Sequence, residues 1–318
     1  MIKMKYKILL IAPAIFLASS VFAQETKSNA SDVAIRVTLL GTGSPVPSPD
    51  RFGPSTLIEV GEEKLLFDVG RGATVRLAQA KVSLKNITVF LTHLHSDHIN
   101  GLGDLWSSGY MAPVFNENPL KIFGPTGIAE LTGGLKKAFQ PDIDIRLVEM
   151  SKRGQPFHLS GANFDATEVN NDGVVFSRGG VIVTAIRVNH AENKAFGYRV
   201  DYKGKSVVIS GDTNFSENLV NKSKGADLII HEVMGVSDKQ MENPLIKDVL
   251  EAHTTPEQAG SLFSKVQPKM AIYTHILLFG VSEEALVTKT RKTYSGPLVI
   301  GYDLMTIEVD EEVTIIKK

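Results

Sequence analysis

His93-Leu94-His95-Ser96-Asp97-His98 stands one threonine beyond the apolar run Ile87-Thr88-Val89-Phe90-Leu91. A short β-branched apolar run closed by polar residues reads as a buried strand. A loop at the end of such a strand is held rigidly and can aim several side chains at one point. His93 and His95, two residues apart, can converge on one ion, while Asp97 and His98 reach a second beside it. Imidazole nitrogen combined with carboxylate oxygen suits zinc or a similar first-row metal.

Apolar strands alternate with helical patterns along the rest of the chain. Residues 56–60 and 64–69 read as a hairpin around Gly61-Glu62, 72–80 as a helix, and 99–107 as a helix after the histidine loop. Leu120 to Phe123 reads as a strand, and Gly124-Pro125-Thr126-Gly127 as the opening of another helix. The second half repeats the rhythm, with strands expected at 181–188, 195–201, 206–209, 227–230 and 270–273 and helices at 216–222, 256–266 and 283–292. Strands interleaved with helices in both halves imply stacked sheets between helical layers. No repeat or Pro/Ser-rich linker divides the chain, so residues 34–318 read as one domain.

The N-terminus has the three parts of an export signal: Lys3, Lys5 and Lys7, an apolar stretch from Ile8 to Phe22, and Val21-Phe22-Ala23 suited to cleavage after Ala23. The stretch falls short of the roughly 20 residues of a membrane span and contains Pro13. Residues 1–23 are therefore expected to be removed and 24–33 to form a flexible lead, placing the mature protein in the periplasm or outside the cell with no stable membrane anchor. Cysteine is absent, which excludes disulfides, thiolate ligands, a cysteine nucleophile and a lipid attachment point. Any metal site must be built from His and Asp. Lys+Arg 34 against Asp+Glu 35 gives no basic excess for nucleic acid, and Lys289, Arg291 and Lys292 read as a solvated helix face.

Further ligands are expected where apolar strands end. His190 follows 183–189, Asp212 follows Val207-Val208-Ile209-Ser210-Gly211, and His275 follows Met270-Ala271-Ile272-Tyr273-Thr274. Sites gather at one rim of a sheet in this way.

These motifs, taken with Leu39-Leu40-Gly41-Thr42-Gly43-Ser44-Pro45, Phe67-Asp68-Val69-Gly70-Arg71-Gly72, Ile122-Phe123-Gly124-Pro125, Ser210-Gly211-Asp212-Thr213, His231-Glu232 and His253-Thr254-Thr255, resemble the metallo-β-lactamase-fold hydrolases. The ribonuclease Z/arylsulfatase branch is the most similar. The resemblance implies an α/β fold, the αββα four-layer sandwich, and a dinuclear-metal hydrolase. It implies that His93, His95 and His190 hold one divalent ion, that Asp97, His98 and His275 hold the other, and that Asp212 bridges them. Zn2+ is the first choice and Mn2+ an alternative. Two such ions about 3.5–4 Å apart can activate a shared water as hydroxide. Asp97 would also accept a proton, His253 would protonate the leaving oxygen, and His231 and Glu232 would orient neighbours.

Several residues keep two readings. Asp68 either fixes a ligand imidazole or caps a turn; Gly41-Thr42-Gly43 either presents N–H groups to an anion or makes a tight strand exit; Trp106, with Tyr110 and Met111, either walls the site or packs in the core. His158 has no assigned role.

The missing cysteine excludes thiol-ligated lactamases, and Arg187-Val188-Asn189-His190 replaces the Thr-Pro-Gly-His run of lactonases and glyoxalase-like relatives. Against ribonuclease Z stand the lack of a long glycine- and proline-rich arm between Pro141 and Val181, the sequence Ile276-Leu277-Leu278-Phe279 after His275, the neutral charge and the export signal. Pro49–Thr56 and Gly103-Asp104-Leu105-Trp106 resemble the exported arylsulfatases. The sequence thus points to an arylsulfatase acting on a small anionic ester, with no nucleic-acid partner and a homodimer in keeping with the branch. A phosphodiesterase on small or cyclic phosphodiesters and a 3′ tRNA endonuclease are the alternatives, and an exported metal-dependent binding protein is the non-enzymatic one.

Overall fold

The computed structural model describes residues 33–111, 117–154 and 158–316, which form one compact unit. In chain order, β1 (Ile35–Gly41), β2 (Ser55–Val60) and β3 (Glu63–Phe67) lead through α1 (Ala73–Gln79) to β4 (Ile87–Phe90). The metal-loop residues open α2 (Ser96–Ile99), followed by α3 (Leu102–Met111), β5 (Leu120–Pro125), α4 (Ile128–Lys152), β6 (Phe164–Val169) and β7 (Gly173–Arg178). Then come β8 (Val181–His190), β9 (Asn193–Tyr202), β10 (Lys205–Ile209), α5 (Glu217–Ser223) and β11 (Leu228–Val236). The chain closes with α6 (Pro244–Glu251), α7 (Pro256–Val266), β12 (Met270–Phe279), α8 (Glu283–Thr290), β13 (Leu298–Ile300), β14 (Met305–Val309) and β15 (Val313–Ile316).

Two sheets result, one in the order β15-β14-β1-β2-β3-β4-β5-β6 and the other β13-β12-β11-β10-β9-β8-β7. Alternation along the strands decides what each face buries. Leu65, Phe67 and Phe90 of the first sheet and Val207, Ile209 and Ile230 of the second share one buried cluster between the sheets. Leu66 and Val89 face the other way, against Leu77 of α1, Trp106 of α3 and Ile128 of α4. Val208 and Ile229 likewise meet Leu219 of α5, Phe263 of α7 and Leu286 of α8. Helix, sheet, sheet, helix is the αββα order that the resemblance implies. The parallel trio β10, β11 and β12 is covered on both faces, so β11 is buried along its whole length.

The structure departs from several sequence expectations. The helix expected over 99–107 is two helices, because the chain turns at Gly101, where a Cβ would lie 2.4 Å from the Gly70 carbonyl oxygen. Gly124 and Pro125 belong to β5, and α4 starts after Gly127, whose φ of 103° a side chain would strain. Neither β11 nor β12 stops where expected; each runs on through its functional residues to Val236 and Phe279. Strands β6, β7 and β13 to β15 and helix α6 are additional. Trp106 is 2% exposed and packs on Tyr110 and Phe164 at ring-centroid distances of 4.9 and 4.5 Å, which is core packing rather than a wall of the site. The proposed signal, residues 1–23, and the lead up to residue 32 lie outside the described residues. Among the described residues no helix is long and apolar enough to cross a membrane.

Candidate metal centre

Strand ends and one bulge deliver the polar side chains to a single rim. β4 hands over to the 92–98 loop, β8 ends on His190, and β10 leaves through Gly211, whose φ of 61° turns the chain so that Asp212 faces inward. A Cβ on Gly211 would stand 2.7 Å from the Phe196 carbonyl oxygen. In the β11–β12 ladder, Glu232 pairs with Thr274 and Val233 with Ile276, so His275 is the extra residue of a bulge, with φ 42°. Such a bulge re-aims one side chain out of the pleat. His275 therefore lies within β12, not at its end.

Three ring nitrogens converge first. His93 Nε2 lies 3.0 Å and His190 Nε2 lies 3.1 Å from His95 Nδ1. Nitrogens bound tetrahedrally at about 2.1 Å stand roughly 3.4 Å apart, so one ion fits with little adjustment. Asp97, His98 and His275 form the second group: Asp97 Oδ2 is 3.1 Å from His275 Nε2 and 3.5 Å from His98 Nε2. Asp212 Oδ2 sits between the groups, 3.3 and 3.4 Å from His98 and His275 and 3.8 and 4.0 Å from His93 and His190. The cluster thus brings together all seven residues marked as candidate ligands. All are buried except His95, which opens the cluster to solvent.

The surrounding bonds fix which atom each ring presents. His98 Nδ1 donates to Asp68 Oδ2 at 2.8 Å, leaving Nε2 to face the cluster, where that buried nitrogen has no hydrogen-bond partner. Asp212 Oδ1 is likewise buried without a partner. Buried polar atoms so rarely stand alone that cations suit this donor set. Asp68 also accepts from the Thr92 N–H and hydroxyl at 2.8 and 2.9 Å, so its two expected roles coincide. His190 donates through Nδ1 to the Ala252 carbonyl at 2.9 Å.

Electrostatics agree with a ligand set. Burial, reinforced by the neighbouring His98, holds His93 well below the usual imidazole range, and burial also lowers His95 and His190, so all three are neutral and offer lone pairs. Burial would raise the Asp212 carboxyl, yet the imidazoles of His275 and His98 hold it well below the usual carboxylate range.

His253 stands beside both groups without joining either. Its ring stacks on His275 at 5.8 Å and lies 5.1 Å from His190. It donates through Nδ1 to Glu232 Oε1 at 3.1 Å, and the same oxygen accepts from the Thr213 and Thr254 N–H groups at 3.2 and 3.0 Å. Burial opposes a charge on His253, but Glu232 outweighs it and the pKa rises to about 9. Glu232 therefore orients His253 as expected. His231 does not orient a ligand: alternation turns it to the opposite face of β11, where it packs on Phe263 at 5.8 Å.

Gly41-Thr42-Gly43 proves to be the strand exit. Thr42 N–H and hydroxyl donate to Asp303 Oδ1, and Gly43 N–H donates to the Phe52 carbonyl. His158 stands 4.0 Å from Glu117 and outside the cluster. Asn193, whose Nδ2 lies 3.2 Å from His95 Nε2, escaped the sequence reading; a polar residue three beyond His190, past a tight turn, was the only signal.

Residues 64–276 match the family model described as the beta-lactamase superfamily domain. Ribonuclease Z of Mycobacterium avium (strain 104) is 35% identical over 286 residues, covering 87% of this chain and 99% of the relative. Ribonuclease Z of Mycobacterium bovis (strain BCG / Pasteur 1173P2) is 33% identical over 284 residues, covering 86% and 98%. Among solved structures, the metallo-beta-lactamase fold protein YhfI from Bacillus subtilis superposes with a TM-score of 0.68 at 20% identity, covering 86% of this chain and 99% of that one. The short form of human tRNase Z gives 0.63 at 24% identity with the same coverage. A matching family model, long relatives above 30% identity and the shared fold agree: the chain belongs to the beta-lactamase superfamily, in its metallo-β-lactamase-fold, ribonuclease Z-like branch.

Proposed function

We propose that this chain is a metal-dependent phosphodiesterase that cleaves RNA in the manner its ribonuclease Z relatives are named for. The observation that carries this reading is 35% identity spanning 99% of the Mycobacterium avium ribonuclease Z. The sulfate-ester reading taken from the sequence has no counterpart among those relatives, so the phosphodiester alternative replaces it, and the expectation of no nucleic-acid partner gives way with it.

On this reading His93, His95 and His190 would hold one divalent ion and Asp97, His98 and His275 the other, with Asp212 available to both and zinc the metal of choice. Two such ions, when bound, would supply water activation and charge neutralisation at the non-bridging phosphate oxygens. Asp97 would accept the proton given up by the attacking water. His253, charged by its contact with Glu232, gives a proton from Nε2 to the leaving oxygen, and Glu232 keeps the ring aimed.

His253→Ala is expected to lower kcat about 10²- to 10⁴-fold on an ester with an alkyl leaving group, with metal content by elemental analysis unchanged. The loss should shrink on an aryl ester, since a phenol titrates near ~10 and leaves without help. Equal losses on both esters would remove the acid role.

A second reading, hydrolysis of small phosphodiesters outside the cytoplasm, rests on two observations. Only the end of α4, β6 and β7 occupy the described residues between Pro141 and Val181, with no long arm, and residues 1–23 have the pattern of an export signal. Purified zinc-loaded protein assayed on a tRNA precursor, bis-nitrophenyl phosphate and nitrophenyl sulfate separates these. Correct trimming of the precursor is the expected result; turnover of the small diester alone favours the second reading, and preference for the sulfate contradicts both. N-terminal sequencing of the mature protein, expected to begin at Gln24, tests the export.

A further inference from the structure

We propose that a buried water site is built into the back of the metal centre, where one water ties Glu232 to His275 and Asp212.

Each of the five imidazoles in the cluster presents one ring nitrogen inward, and the N–H on its other edge needs an acceptor. His98 has Asp68 at 2.8 Å, His190 the Ala252 carbonyl at 2.9 Å, and His93 the Thr92 hydroxyl at 3.0 Å. The exposed His95 has Asn193 at 3.2 Å. His275 differs. Its Nε2 faces Asp97 and Asp212, while its Nδ1 is buried with no partner among the described residues. An ion bound to Nε2 cannot serve Nδ1, which points out of the other side of the ring.

Two acceptors nearby share that condition. Asp212 turns Oδ2 toward the imidazoles, and its Oδ1 is buried without a donor. Glu232 gives Oε1 to His253, Thr213 and Thr254, and its Oε2 is buried without a donor. His275, Asp212 and Glu232 all line one cavity of about 20 Å³, together with Phe67, Ser210 and Thr274. Roughly 10–15 Å³ is enough for one water, so the cavity takes a water and no larger ligand.

The hydrogens decide the occupant. A water accepts from the His275 Nδ1–H and donates one hydrogen to Asp212 Oδ1 and the other to Glu232 Oε2, which satisfies all three atoms. A cation would suit the two carboxylates but not the N–H, since a ring that ligates through Nε2 keeps its proton on Nδ1. Two hydrogen bonds of about 2.8 Å at a tetrahedral angle hold their outer atoms about 4.6 Å apart. A carboxylate oxygen of Glu232 and a ring nitrogen of His275 lie within 4.8 Å of each other, and neither Oε2 nor Nδ1 has a direct bond. Glu232 is then a positioning residue for two groups at once. Through Oε1 it aims His253; through Oε2 and the water it fixes the ring of His275.

High-resolution crystals of the zinc-loaded protein are expected to show a fully occupied water about 2.7–3.1 Å from His275 Nδ1, Asp212 Oδ1 and Glu232 Oε2. A cavity without it, a metal ion in it, or a direct bond from His275 Nδ1 to Glu232 would overturn the site. Zinc titration, followed ring by ring in ¹⁵N-histidine spectra, reads the same tie in solution. Glu232→Gln keeps the bonds at Oε1 but leaves one hydrogen of the water without an acceptor. It is expected to weaken the ion at Asp97, His98 and His275 about tenfold and to leave the ion at His93, His95 and His190 as before. His253→Ala, which spares Oε2, should weaken neither. Equal weakening of both ions in Glu232→Gln would be loss of charge alone and would contradict the tie to His275, as would no weakening.

Discussion

Asp212→Ala is expected to reduce phosphodiester turnover by about 10³-fold or more and to lower the bound metal from two ions per chain toward one. Its Oδ2 lies within 4.0 Å of the Nε2 atoms of both groups, His93 and His190 on one side and His98 and His275 on the other. No neighbour can substitute. Asp97 Oδ2 is 3.1 Å from His275 and 3.5 Å from His98 and belongs to one group, while Glu232 is engaged with His253, Thr213 and Thr254. Removing this carboxylate also leaves four buried imidazoles facing one another without the negative charge that offsets bound cations. The fold should survive, because Ile209 and Gly211 shape the strand exit whatever side chain follows. Elemental analysis and circular dichroism on the variant separate metal loss from unfolding. Two ions per chain with full activity would refute the bridging role.

Asp303→Ala should be the most destabilising polar substitution away from the metal centre, at about 3–5 kcal/mol. Asp303 Oδ1 accepts from the Thr42 N–H and hydroxyl, and Oδ2 from the Phe52 N–H and from Arg76 Nε and Nη2, all between 2.7 and 3.2 Å. Its side chain is only 4% exposed, and Arg76 only 13%. The alanine would strand the Arg76 guanidinium, which also covers the Phe52 ring at 3.9 Å, with its main anionic partner gone. It would free both ends of the 42–52 loop at once. At roughly 2–4 °C per kcal/mol for a large domain, the midpoint of thermal unfolding should fall by about 10 °C. Asp303→Asn keeps some of the hydrogen bonds and should fall less. A loss in Asp303→Ala no greater than that of a surface substitution would show that the loop is held by other contacts.

How much of this was legible depends on whether the deciding contact is local. The histidine loop was, because a β-branched run followed by dense polar residues has few other meanings. His190 and Asp212 were legible as strand-end residues for the same reason. His275 was found, but its setting was not: a bulge is defined by the register against β11, which no local pattern of β12 reveals. The roles of Asp68 and Glu232 depend on partners 24 to 30 and 19 to 22 residues away, so the resemblance supplied Glu232 and left Asp68 with two readings. His231 was misplaced because the resemblance carried it alongside Glu232, whereas strand alternation puts neighbours on opposite faces. Asp303 went unnoticed, since every partner lies at least 227 residues earlier in the chain. Strands β6, β7, β13 and β15 were missed because their burial is partial and their alternation weak, whereas β14, Met305-Thr306-Ile307-Glu308-Val309, alternates cleanly and was overlooked.

Anomalous diffraction from zinc-loaded crystals tests the dinuclear centre most directly. Two peaks are expected, one at bonding distance from His93 Nε2, His95 Nδ1 and His190 Nε2, the other from Asp97, His98 Nε2 and His275 Nε2, with Asp212 Oδ2 touching both. A single peak, or peaks away from Asp212, would contradict it.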